Sequence, residues 1–346
     1  MPRENASRNG DRATLRPGGP VKTAAFLPLP DAPQPPSPDY CAFAAQATLE
    51  RLARLKAEVH GVKQARDIEH VHRMRVASRR VRTALRLFED CFPRKPLKNW
   101  MREIRAVTRA LGEARDLDVQ IAAVRAFIDR QRAPVNRPGV RRLLLRRMQK
   151  RARVQRKVIV RIEELQTCGV VEDMESVLAP LAAQGTRTDP PADLTSAAAG
   201  WIRRGLDELL EYETFVVRPK AVRELHAMRI AAKHLRYCLE VCEPLFGPRL
   251  DAPLQAARQV QSLLGELHDC DVWLEFLPRF RDKEQRRCRK YHGHNRAFQR
   301  LLPGIEQFRS SVRQRRGRTY RRFRTFWEQT RQQHLWEALR AIAGEA

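Results

Sequence analysis

The sequence predicts an all-α protein, on three observations. Cations follow His72 at helical spacing, with Arg75, Arg79, Arg82 and Arg86 at +3, +7, +10 and +14. That places them in a sector roughly 80° wide at about 100° per residue. The same spacing returns 154 residues later as His226, Arg229, Lys233 and Arg236. No stretch of useful length alternates apolar and polar residues as a half-buried strand would.

Taken in order, residues 1–38 hold nine of the 22 prolines, including Pro17-Gly18-Gly19-Pro20 and Pro33-Gln34-Pro35-Pro36-Ser37-Pro38. Such runs sustain neither helix nor strand, so a disordered tail is expected here. A helix is expected from Tyr40 to about Gln64, with Ala45, Leu49, Leu52 and Leu55 as its apolar stripe. The first cationic helix follows, from about Ile68 to Cys91, with Val76, Leu85 and Phe88 toward the core. Third and fourth helices are expected on either side of Gly112, read as the glycine that ends a helix. Arg105 and Arg109 lie on the third, and Asp116 and Asp118 near the start of the fourth. A fifth helix spans Val140 to Gln166 with Arg142, Arg146, Lys150, Arg153 and Lys157 along it, and a sixth spans Val170 to Ala183.

After the turn formers of Gly185–Pro191 the order repeats. A helix carrying Trp201, Leu206, Leu209 and Leu210 precedes the second cationic helix, from about Lys220 to Leu245. His72, Met74, Arg75, Ala77, Arg82 and Leu85 recur as His226, Met228, Arg229, Ala231, Arg236 and Leu239. Leu111-Gly112-Glu113-Ala114-Arg115-Asp116-Leu117-Asp118 recurs 153 residues on as Leu264-Gly265-Glu266-Leu267-His268-Asp269-Cys270-Asp271. Two blocks sharing nearly one period argue for an internal duplication, with repeats at 39–184 and 192–343. In the second repeat the fifth helix is expected to break at Gly293 and Pro303-Gly304. The sixth is expected after Gly317, to about Ile342, with Phe323, Phe326, Trp327, Trp336 and Leu339 as core candidates.

The 346 residues carry a net charge of +27, which calls for a polyanionic partner. No run of about 18 apolar residues predicts a membrane span, and no apolar segment near the start reads as a signal peptide. Seven cysteines, an odd number without a CxxC pair, read as reduced and the chain as cytoplasmic.

The paired His-x-x-Arg helices and paired Leu-Gly-Glu-x-x-Asp-x-Asp blocks resemble those of CHAD domain proteins over about residues 39 to 343. The resemblance implies two pseudo-symmetric helical bundles with a basic groove between them. It also implies binding of inorganic polyphosphate without hydrolysis, and attachment to polyphosphate granules as a scaffold. The chemistry of the cationic helices agrees. A phosphate chain has many charges and no aromatic face, so its receptor needs arginine forks and few rings. The expected contacts are His72, Arg75, Arg79, Arg80, Arg82, Arg86, Arg105, Arg109 and Arg115 in the first repeat. Those in the second are His226, Arg229, Lys233, Arg236, Tyr237, Arg258 and His268, with the five fifth-helix cations as an extension. His234 opposite Arg80 and Glu240 opposite Arg86 predict a weaker cationic wall in the second repeat.

Charge alone also fits a sequence-independent nucleic-acid binder. Against this, the sequence has no zinc finger, RRM or basic zipper and no aromatics interleaved with the cations. A metal-dependent phosphoanhydride hydrolase is the other alternative, because His268-Asp269 resembles a metal dyad. Its counterpart Arg115-Asp116 argues for a structural role instead, and GxxxxGK[ST], HExxH and ExExK patterns are absent. His234, Cys238 and Cys242, and Cys288, His292 and His294, each lack an evident fourth ligand. No catalytic residue, metal or cofactor is expected.

Overall fold

The structure, a computed structural model, describes residues 36–130, 133–185 and 191–345. Thirty-five residues of the expected tail, and most of the expected boundary between the repeats, lie outside these residues. Helices dominate, and no strand occurs among the described residues.

The first half contains α1 (Pro38–Ala57), α2 (Val59–Gln64), α3 (Ile68–Leu87), α4 (Arg94–Arg130), α5 (Arg137–Thr167) and α6 (Val170–Ala182). The second contains α7 (Ala192–Leu210), α8 (Val222–Phe246), α9 (Asp251–His292), α10 (Arg296–Gln299), α11 (Leu302–Gln332) and α12 (Leu335–Ile342). Local chemistry sets several boundaries. The Ser37 hydroxyl accepts from the Tyr40 amide at the start of α1, and Asp67 accepts from the Glu69 amide at the start of α3. Gly293, at φ 68°, ends α9 in the left-handed region that favours glycine. The core side of α3 is Val71, Met74, Val81 and Leu85, continued by Phe88; Val76 is half-exposed instead.

The expected third and fourth helices are one helix in each half. α4 runs unbroken through Gly112 and α9 through Gly265. Neither glycine ends a helix: each lies beneath a cationic side chain. A Cβ on Gly112 would stand 3.7 Å from Arg75 Nε, and one on Gly265 3.8 Å from Arg229 Nε. Gly317 is likewise interior to α11, so the last helix of the second half is the short α12.

The halves pack alike, with α3 between α1 and α4, α8 between α7 and α9, and α4 and α9 against α5 and α11. They also share a core. Val124, Val140 and Leu143 from the first half are buried with Trp273, Leu277, Phe280, Ile305 and Phe308 from the second. At that seam Gly139 and Gly304 make reciprocal backbone approaches. A Cβ on Gly139 would fall 2.0 Å from the Leu301 carbonyl oxygen, and one on Gly304 2.0 Å from that of Asn136. No side chain fits at such distances.

Cys41 and Cys91 form a disulfide between the start of α1 and the segment after α3. This corrects the reading of all seven cysteines as reduced. The bridge joins residues 50 apart that only the packing of α1 against α3 brings together. Among the described residues no helix is long and apolar enough to cross a membrane.

Candidate functional site: the facing cationic helices

α3 and α8 pack against each other, and their cationic ladders share one electrostatic neighbourhood. Lys233 on α8 feels Arg79, Arg82 and Arg75 of α3 as well as its own neighbour Arg229. Arg229 feels Arg79 of α3 and Asp116 of α4. His72 and His226 therefore lead ladders that meet rather than diverge to opposite exteriors.

Little negative charge compensates this cluster. Asp116 reaches Arg75 only at 3.7 Å. Among the described residues no carboxylate lies within ion-pair distance of Arg79, Arg82, Arg86, Arg105, Arg109, Arg229 or Lys233. Burial, then repulsion from Arg79 and neighbours, pushes the Lys233 ammonium down to about 7. Burial followed by like charges takes Arg75 and Arg82 down to about 10. On Arg82 those charges include Arg105 and Arg109, so α4 continues the cationic surface.

The histidines occupy equivalent settings. Among the described residues His72 Nδ1 and His226 Nδ1 are both buried without a hydrogen-bond partner, as are Arg75 Nε and Arg229 Nε one turn on. Burial lowers both imidazoles below 6.5, assisted by Arg115 at His72 and by Arg229 at His226. The His268 ring lies 4.3 Å from that of His226, and burial beside Arg229 drives it down to about 4. Tyr237 is buried, 5% exposed, with the Arg236 guanidinium 5.0 Å from its ring centre.

The acidic residues of the paired blocks are mid-helical, not near a helix start as expected. They lie against arginines instead. Asp118 accepts from Arg151 at 2.7 Å, and Asp271 pairs with Arg316 at the equivalent place on α11. Asp269 is raised by desolvation, opposed by Arg229.

Other expected contacts are engaged elsewhere. Glu240, with its side chain 8% exposed, pairs with Arg80 and Arg236 at 3.0 Å and draws Arg258 to 3.7 Å. Arg115 pairs with Glu69 at 3.3 Å. On α5, Arg146 and Arg142 turn to the buried Glu284, and Lys150 pairs with Glu113. Arg153 bonds its own helix backbone, and Lys157 is exposed. The expected extension along α5 is thus largely taken up in internal ion pairs.

Arg151 and Arg316 were not singled out in the sequence. They stand 165 residues apart, whereas the motif blocks stand 153 apart; the extra length between α9 and α11 shifts the register. The metal-ligand stripes do not assemble. His234 faces Glu208, Cys238 and Cys242 are buried with sulfurs 4.0 Å apart, and Cys288 is in the shared core. No group of three or more candidate ligands occurs among the described residues.

Fold and site together define an all-helical, internally repeated domain whose halves bring two cationic ladders together. The CHAD domain family model matches residues 46–278, and the chain belongs to that family. Its fold is similar to the crystal structure of the CHAD domain from the plant Ricinus communis. That match has a TM-score of 0.54 at 21% identity and covers 93% of this chain and 98% of that one. No curated protein matched the sequence.

Proposed function

We propose that the chain binds inorganic polyphosphate where the α3 and α8 ladders meet, and does not hydrolyse it. The observation that carries this reading is the set Arg75, Arg79, Arg82, Arg229 and Lys233, gathered with two carboxylates nearby, Asp116 and Asp269, of which Asp116 alone reaches ion-pair distance among the described residues. Such a cluster is self-repelling until a polyanion occupies it. Charge-assisted hydrogen bonds to its forks then contribute roughly 1.5–3 kcal/mol each. The unpartnered ring nitrogens of His72 and His226 lie beside the same ladders.

Nucleic acid is the weaker candidate. These cations are partly buried rather than spread over an open face, and Tyr237 is covered, so no stacking platform accompanies them. The non-catalytic part of the reading draws on His268 and Asp269. His268 is stacked on His226, and Asp269 sits between Arg229 and Arg315, surroundings that disfavour a metal cation. Attachment to polyphosphate granules follows from the reading, while the cytoplasmic expectation loses its cysteine argument at Cys41–Cys91.

Competition of long-chain polyphosphate against duplex and single-stranded nucleic acid at fixed salt tests the ligand class. Displacement by nucleic acid at lower phosphate concentration reverses the ranking. Phosphate release from polyphosphate with Mg²⁺ or Mn²⁺ overturns the non-catalytic reading.

A further inference from the structure

The two halves differ at one place in their shared seam. On one side, the Arg147 guanidinium of α5 lies 3.8 Å from the centre of the Phe276 ring of α9. On the other side, Phe308 of α11 meets Phe127 of α4. The counterpart of Phe276 there is Ala123 at the 153-residue offset. The counterpart of Arg147 is Val312 at the 165-residue offset set by Gly139 and Gly304. Both replacements are small, and the space is a cavity of about 520 Å³. Ala123, Phe127, Phe308 and Val312 line it. Phe127 and Phe308 meet edge to face at 5.1 Å and fix one wall.

The cavity carries charge as well. Arg130, Arg315 and Arg318 also line it, and among the described residues none of the three has a carboxylate within ion-pair distance. Among the described residues Arg315 donates to the Cys270 sulfur alone, at 3.3 Å. On the opposite side Arg142, Arg146 and Arg287 share the buried carboxylate of Glu284.

A stacked planar pair fills one side; the other side offers an aromatic-walled space of matching position and unpaired guanidiniums. We propose that this cavity binds a nucleoside phosphate, its base beside Phe127 and Val312 and its phosphates on Arg130, Arg315 and Arg318. A polynucleotide is a poorer fit, since strand binding uses successive stacking platforms and this side offers one. The volume lies in the range of small-molecule sites. The cavity is lined by no residue of α3 or α8, while its Arg315 and the ladder's Arg229 both act on Asp269.

Calorimetric titration of the full chain with adenosine triphosphate and with inorganic tripolyphosphate tests it, because the two carry similar charge and only one carries a base. The expected result is one site preferring the nucleotide by about tenfold or more. Ala123→Phe and, separately, Val312→Arg copy the filled side and are expected to abolish that preference. Val312→Arg adds positive charge, so a purely electrostatic association would strengthen where this proposal requires weakening. Equal affinities in the unaltered chain overturn the proposal, as does a preference that survives both substitutions. Should neither variant fold, the ratio in the unaltered chain decides alone. Long-chain polyphosphate measured in parallel on the same variants reports the ladders, whose affinity is expected to change less than the nucleotide preference.

Discussion

Gly139 and Gly304 each lie where a carbonyl from the other half occupies the place of a side chain, with 2.0 Å between a notional Cβ and that oxygen. The relation is reciprocal, which is what a two-fold seam between duplicated halves requires. Gly139→Ala or Gly304→Ala must push α5 and α11 apart, at a cost of at least about 1–3 kcal/mol for overpacking. Gly317 is also inside α11 but has nothing within 4 Å of its notional Cβ. Gly317→Ala is expected to stabilise by about 0.5–1 kcal/mol through helix propensity. Denaturant unfolding of the three variants checks both signs.

Lys233 makes binding depend on pH. In the free protein its pKa is about 7, and a bound polyanion raises it. The ligand therefore gains most below pH 7 and loses affinity as pH rises through the bound-state value. Affinity is expected to fall between pH 6 and pH 9, and Lys233→Arg to flatten most of that fall. His72 and His226, both lowered from 6.5, add their contribution only at more acidic pH. The same shift costs the free fold stability. Because its folded pKa lies below 10.5, Lys233 sheds a proton on folding, so stability from this residue rises with pH between 7 and 10.5. Lys233→Met is expected to raise the melting temperature at pH 7 by a few degrees, roughly 2–4 °C per kcal/mol, while weakening binding.

Glu240 anchors Arg80 and Arg236 and attracts Arg258. Removing a buried partner of this kind leaves uncompensated charge and costs about 3–5 kcal/mol. Glu240→Gln is expected to destabilise by about that amount. Arg80→Ala is expected to lower stability more than polyphosphate affinity. A variant with unchanged melting temperature and much weaker binding would return Arg80 to the ligand site.

The architecture was legible where side-chain periodicity is strong. The cationic helices and the all-helical class follow from the spacing around His72 and His226. Gly112 and Gly265 misled, because a glycine that ends a helix and one that lies under an arginine look alike in sequence. The Arg151–Asp118 and Arg316–Asp271 pairs were hidden by the change of offset from 153 to 165. Arg236 belongs to the predicted second ladder by spacing, and Arg80 is an expected contact beside the first. Their capture by Glu240 depends on how α3 and α8 pack, which spacing along one helix does not encode.

The central claim is that position, not net charge, confers polyphosphate binding. It is tested most directly by titrating polyphosphate of defined length into two double variants of equal charge. Arg79→Ala with Arg82→Ala removes two ladder cations. Arg249→Ala with Arg279→Ala removes two exposed arginines from surface pairs. The ladder variant is expected to lose at least about 100-fold in affinity, two charge-assisted contacts' worth, and the surface variant only a few-fold. Equal losses in the two variants would contradict the claim.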